Sequence, residues 1–312
     1  MGVAAWDLTV GGMATDIVPG ALDAAVPWFG QPGQIRLLGL PNGRNRRRNK
    51  LIVAAEYAGL QGAIAIPEDG AAGGPPLDWT VRDGMTDGYA RRVNPMQRSP
   101  VAVMPQRIVA ELGGRSGPPG DARDGACVFE SNAILRLLAR LGTARNPGLP
   151  PLLGASLLEA ALVDEWTDFS LECLDPPARH PFGVWLGFTA PDDAVMRDSV
   201  AGVAVAVERL GERVQLQWRS AHPDGASFDP ATLTPLVGRS VTVADIAVAT
   251  SLDVALRYMP AEAWRAVVAA APRAPFAVAH YLAMWRDPPF HAGLCRGGPE
   301  CVDPAPNAFA DQ

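Results

Sequence analysis

The chain has 312 residues, room for two domains of ordinary size or one large one, and its 48% hydrophobic and 19% charged content is globular with material for a real core. A formal net charge of −6 argues against general nucleic-acid affinity, which needs a basic footprint, and leaves protein partners as the expectation. No apolar run approaches the roughly 20 residues that span a bilayer, and residues 1–35 hold no Lys or Arg, which removes both a basic secretory n-region and an arginine-rich transit peptide. The chain is therefore expected to be cytoplasmic, with a mature, already processed organellar form left open.

Residues 1–33, rich in Gly, Ala and Pro with Trp6, Trp28 and Phe29 among them, read as an extended arm with aromatic anchors. A short strand over 34–40 is followed by a Pro41-Asn42-Gly43 turn, and then by a helix over 45–59 with Gly59 as a natural C-terminal stop. A second strand follows at 62–66, a Gly/Pro-rich loop at 67–93, a third strand at 99–104, another loop at 113–125 and a fourth strand at 126–129. The last two strands read as a hairpin with a long connection. An amphipathic helix over 131–142 closes this part, which spans 34–145.

The Pro/Gly-rich stretch 146–154 marks a boundary. Beyond it, 155–174, 193–213, 242–259 and 274–287 carry helical spacing within a second unit over 151–295. The segment 214–238 reads as a loop beginning with a short strand or hairpin, and 296–312 as an irregular tail.

Cys127, Cys173, Cys295 and Cys301 form no zinc-type spacing, even with His291 near the last two, so free or packed thiols, a reducing compartment and no metal are expected. Arg44, Arg46, Arg47, Arg48 and Lys50 form the one dense positive cluster, and Lys50 is the only lysine. At a helix amino end these charges oppose the dipole. That conflict fits either an anion or partner patch or a solvated face offset by the acidic remainder. At 130–132, Glu130, Ser131 and Asn132 sit where a strand hands over to a helix. Ser131 as N-cap with Glu130 beside the dipole explains them, and so does a small-ligand pocket on the free amides of the helix start.

Three stretches carry a family resemblance. "NPMQRSPVAVM" (94–104), "FESNAI" (129–134) and "LVGRSVTVADIAVATSL" (236–252) resemble motifs of the glutathione transferases, whose order of elements is the same. The resemblance implies a thioredoxin-like α/β N-terminal domain followed by a glutathione-transferase-type all-α helical bundle, with Thr242 and Asp245 as a structural capping box. Among subfamilies, "KLIVAAEYAG" (50–59) and "AHYLAMWRDPPFHAGL" (279–294) most resemble the transferase-like domain of the gamma subunit of eukaryotic translation elongation factor one. That subunit carries a large further C-terminal domain, while the arm and the longer loops here depart from the family.

The resemblance also implies roles. Glu130 and Ser131, with the backbone of Ser99 before Pro100, would hold the γ-glutamyl end of glutathione if that pocket is retained; no other cofactor is implied. The family activates the thiol of glutathione with a Tyr, Ser or Cys just after the first strand. The matching stretch 40–50 has none, so no catalytic residue is assigned, and Asn42 and Asn45 are the thiol-stabilising candidates. The expected function is a non-catalytic scaffold or interaction subunit of a larger assembly, related to the elongation factor subunit. A transferase with an atypical thiol-activating residue and an accessory subunit of an unrelated complex, organellar or not, are the alternatives. A homodimer, common in transferases, stays open.

Overall fold

The computed structural model describes residues 34–38, 46–66, 100–113 and 125–296. The expected arm, the two long loops over most of their length and the tail after 296 lie outside these residues.

The first half is a four-stranded sheet in the order β2-β1-β3-β4, formed by β1 (Ile35–Leu38), β2 (Ile64–Ala65), β3 (Val101–Pro105) and β4 (Gly125–Phe129). β1 and β2 are parallel, joined through helix α1 (Arg46–Tyr57), and the other pairings are antiparallel. All four residues of β1 are buried, so this strand reads as a continuous run rather than an alternation. Gly59 stops α1 at φ +65°, where the Leu60 N–H returns to the Ala55 carbonyl at 2.8 Å. Only glycine adopts that conformation without strain. Between the third strand and the loop expected at 113–125 lies a short helix, α2 (Gln106–Glu111). Helix α3 (Ser131–Arg145) follows β4 and packs on α1.

The second half is helical: α4 (Leu157–Phe169), α5 (Asp175–Trp185), α6 (Asp193–Ala221), α7 (Val243–Tyr258), α8 (Ala261–Ala270), α9 (Ala274–Arg286) and α10 (Pro288–Arg296). The expected helix over 155–174 does not stop before Asp175-Pro176-Pro177. A π-turn (Ser170–Leu174) carries it into α5, whose first turn holds the prolines where their missing N–H groups matter least. The strand or hairpin expected from 214 is likewise corrected. The segment continues α6 to Ala221, because Val214 and Trp218 extend the buried stripe of Val203, Val207 and Leu210 at helical spacing. Val214, Leu216 and Trp218 alternate as a strand would, yet Leu216 is exposed and the other two are buried.

One hydrophobic core runs through both halves. At its centre is α1, packed on α3 from its own half and on α7 and α10 from the other. Asp245 accepts from the Thr242 N–H and hydroxyl at 2.8 Å each, and the capping box of α7 is formed. Among the described residues no helix is long and apolar enough to cross a membrane. Cys127 and Cys173 are free thiols, but Cys295 is disulfide-bonded, which corrects the free-thiol expectation there.

Candidate functional site

Strand register brings the expected ligand residues to one end of the sheet. Leu38 at the end of β1 pairs with Val101 at the start of β3, and Val101 pairs with Phe129 at the end of β4. Buried Pro100 and Ser131 and exposed Glu130 therefore share that edge with the carboxyl end of β1. Ser99, Asn42, Asn45 and Arg44 lie outside the described residues.

The handover at 130 differs from simple capping by Ser131. Glu130 is itself the N-cap: its carbonyl accepts the first intrahelical bond, from the Ile134 N–H at 3.0 Å, and no side chain caps the helix. Glu130 has φ +69°, and among the described residues no other non-glycine has a positive φ. A bulky side chain there stores backbone strain, a feature that clusters at ligand sites. Ser131 becomes the first helical residue, buried to 3% exposure, and its hydroxyl does not cap the helix. The first amides of α3 precede any intrahelical bond, so strain, free donors and a positive dipole end coincide at this point.

The basic cluster of α1 is not a surface patch. Arg48 and Lys50 are each 2% exposed. The Arg46 guanidinium lies 3.4 Å from the Asp253 carboxylate of α7 and stacks 4.9 Å over the Tyr258 ring. Arg47 pairs with Asp175 of α5 at 3.3 Å, and Asp175 also accepts from the Ser251 hydroxyl at 2.7 Å. Lys50 donates to Asn132 Oδ1 at 2.5 Å, and Asn132 Nδ2 donates in turn to the Thr167 carbonyl of α4 at 3.0 Å. The expected anion or partner patch is thus corrected at Arg46, Arg48 and Lys50, whose side chains are enclosed where α1 meets its neighbours. Burial draws the Lys50 ammonium down to about 8, with Arg47 and Arg136 adding to the shift against the pull of Asp175 and Glu130.

The same face of α1 is tied to α10. Tyr57 donates to Asp287, just ahead of that helix, and Arg296 pairs with Glu56 at 3.3 Å. Sequence reasoning missed these acidic partners: Asp175, Asp253 and Asp287 stand roughly a hundred or more positions away from α1, with no local pattern to flag them.

No protein-family model matches the chain. Elongation factor 1-gamma of Trypanosoma cruzi is 34% identical over 214 residues, which cover 68% of this chain and 38% of that protein. Elongation factor 1-gamma 1 of Oryza sativa subsp. japonica is 29% identical over 208 residues, 67% of this chain and 38% of the relative. Among solved structures, yeast Ure2p in complex with S-hexylglutathione superposes with a TM-score of 0.60 at 17% identity, covering 85% of this chain and all of that one. This chain has the glutathione transferase fold, and about two thirds of it is similar in sequence to part of elongation factor 1-gamma. A glutathione transferase from Pseudomonas putida with glutathione disulfide bound matches over 84% of this chain and 91% of its own, at a TM-score of 0.55 and 17% identity. The chain spans about two fifths of the length of the curated proteins it matches.

Proposed function

We propose that the chain is a transferase-fold interaction module, a counterpart of the matching part of elongation factor 1-gamma, that docks into a larger cytoplasmic assembly and does not conjugate glutathione. The observation that carries this reading lies between β1 and α1. Residues 39–45 contain no Tyr, Ser or Cys to activate a thiol. The cations that follow are engaged inside the protein, on Asp253, Asp175 and Asn132. The purified chain with glutathione and an electrophilic chloronitrobenzene is expected to show no turnover above the uncatalysed rate, and in a gentle lysate it should migrate with a larger assembly. Saturable turnover by a free species near one or two chain masses would refute the reading in favour of a transferase with an atypical thiol-activating residue. Co-migration with organellar chains would place the module in an unrelated complex.

A second reading concerns binding without conjugation. The strained Glu130, the Ser131 side chain that does not cap the helix and the open amides of α3 support a site for a small carboxylate, of which the γ-glutamyl end of glutathione is the example. Removing a hydroxyl that contacts the ligand should cost about 1.4 kcal/mol, or roughly tenfold in affinity. Calorimetric titration with glutathione is expected to show that loss for Ser131→Ala. Equal affinity in the variant would remove Ser131 from the site.

A further inference from the structure

Cys295 differs from the other described cysteines. Cys127 and Cys173 are free, whereas Cys295, in the last turn of α10, is disulfide-bonded. The chain has four cysteines, so the bond runs to the remaining one, Cys301, which lies outside the described residues. It closes only a short loop along the chain, the case in which a disulfide gains least in stability. Stapling of distant elements therefore does not account for it.

A basic ring faces the Cys295 sulfur. One helical turn earlier, His291 brings Nε2 to 3.6 Å and Nδ1 to 3.8 Å from Cys295 Sγ. The i, i+4 spacing sets that approach, and the Trp285 ring packs edge-on against the imidazole at 5.2 Å and 89°. His291 is exposed and Cys295 partly so, which leaves both open to a small molecule. Arg296 donates to the Gln61 carbonyl at 3.0 Å and pairs with Glu56 of α1 at 3.3 Å. These contacts fix the last turn of α10, so Cys295 and His291 stay opposed when the S–S bond opens. The carboxylates at this end of α10 are engaged, Glu56 by Arg296 and Asp287 by the Tyr57 hydroxyl.

We propose that Cys295 is the exchange sulfur of a redox site for low-molecular-weight thiols, with His291 stabilising the Cys295 thiolate. The incoming thiolate attacks the Cys301 sulfur and forms a mixed disulfide there. The Cys295–Cys301 bond breaks, and its electron pair leaves on Cys295 Sγ beside the imidazolium. A second small thiol attacks the mixed disulfide and releases Cys301. Two small thiols are thereby oxidised to one disulfide, the protein disulfide is reduced to two thiols, and the two protons pass to them. With a small disulfide as oxidant the same steps run in reverse. An imidazolium that lowers a thiol by about one unit from its ordinary ~8.5 raises the thiolate share at pH 7 about eightfold. The weaker nucleophilicity of such a thiolate takes back about threefold, leaving a net gain of about threefold in alkylation rate.

The test holds the whole chain at pH 7 in buffers of 2-mercaptoethanol and its disulfide, and reads each cysteine by peptide mass spectrometry after quenching. Cleavage at Arg296 separates Cys295 from Cys301 once the bond is reduced. Bonding between the two is expected to rise and fall reversibly with the ratio of disulfide to thiol. In the reduced protein, iodoacetamide should modify Cys295 about threefold faster in the parent than in His291→Asn. His291→Lys, which keeps a cation at that position, should retain the faster rate, and the Cys173 rate in each sample reports whether the fold has changed. Cys295 that stays unbonded to Cys301 in every buffer overturns the site. Equal Cys295 rates in the parent and His291→Asn, at an unchanged Cys173 rate, overturn the role of His291.

Discussion

Asp253→Asn is the sharpest probe of how the two halves are joined. The Asp253 carboxylate is 1% exposed and collects three groups from three helices. Arg257 Nε donates at 2.6 Å and the Tyr281 hydroxyl at 2.5 Å, while the Arg46 guanidinium of α1 stands at 3.4 Å. The two arginines are only 10% and 11% exposed, and each also lies 4.9 Å over an aromatic ring, Tyr258 for Arg46 and Trp285 for Arg257. Asparagine keeps the shape and removes the charge, leaving two guanidinium groups enclosed without their carboxylate. Breaking such a buried pair costs about 3–5 kcal/mol. For a chain of this size each kcal/mol shifts the melting midpoint by about 2–4 °C, so a fall on the order of 10 °C is expected. Urea unfolding followed by circular dichroism measures the free energy. Arg46→Met supplies the second leg of a double-mutant cycle, in which the paired variant should lose clearly less than the sum of the single losses. A loss below about 1 kcal/mol for Asp253→Asn, the range of an exposed pair, would refute the claim that this cluster clamps α1 to the helical half.

Two further perturbations probe the same join and the far end of the bundle. In Gly293→Ala the new Cβ would meet the Val53 Cα at 2.5 Å and its backbone nitrogen at 2.9 Å, so α10 must lift from α1. Overpacking of that kind costs about 1–3 kcal/mol, and an unchanged melting midpoint together with unchanged amide protection in α10 would contradict the packing. His280, 1% exposed, has its Nδ1 3.0 Å from the Thr234 carbonyl and its Nε2 3.8 Å from Asp245, and burial holds its protonation below the usual histidine range despite that carboxylate. Its stability contribution is therefore complete above about pH 6.5, the unfolded value, and is lost as pH falls below it, by at most about 1.4 kcal/mol at pH 5.5. Urea midpoints at pH 7 and 5.5 should differ more for the native chain than for His280→Gln, and equal differences would sink the assignment.

Much of this fold is legible along the chain because its signals are local. β1, α1 and its Gly59 stop, β3 after Pro100, α3 and the Thr242–Asp245 box of α7 are each announced by residues within a few positions of one another. What stays hidden depends on distance or on competition between signals. Pro176 and Pro177 read as a helix stop, yet the π-turn before them lets the helix resume. The alternation of Val214, Leu216 and Trp218 mimics a strand, and only burial against the bundle shows which period the chain follows. At the candidate site, the Glu-Ser-Asn stretch is visible in sequence. The positive φ that moves the cap from Ser131 to Glu130, and so leaves the hydroxyl without its capping partner, is a backbone property that no side-chain pattern encodes.

The basic residues of α1 show how a broken local rule should be weighed. Arginines and a lysine in the first turns of a helix oppose its dipole, and such a conflict invites a ligand as its explanation. Here Asp253 and Asp175, carried in by the helical half, resolve it for Arg46 and Arg47, so for these two the violation marks a joint. Lys50 is different in kind, because its contact is a neutral amide and its neighbours Arg47 and Arg136 share its sign. A charge that stays buried with so little direct compensation lowers stability, and replacing it with an apolar side chain of similar length is often neutral or stabilising. Lys50→Met should therefore leave the fold intact, with most of the lost strain offsetting the unpaired Asn132 oxygen. A parent-like urea midpoint for Lys50→Met beside a clear loss for Arg46→Met would separate arginines that hold the halves together from a lysine whose charge the fold does not need.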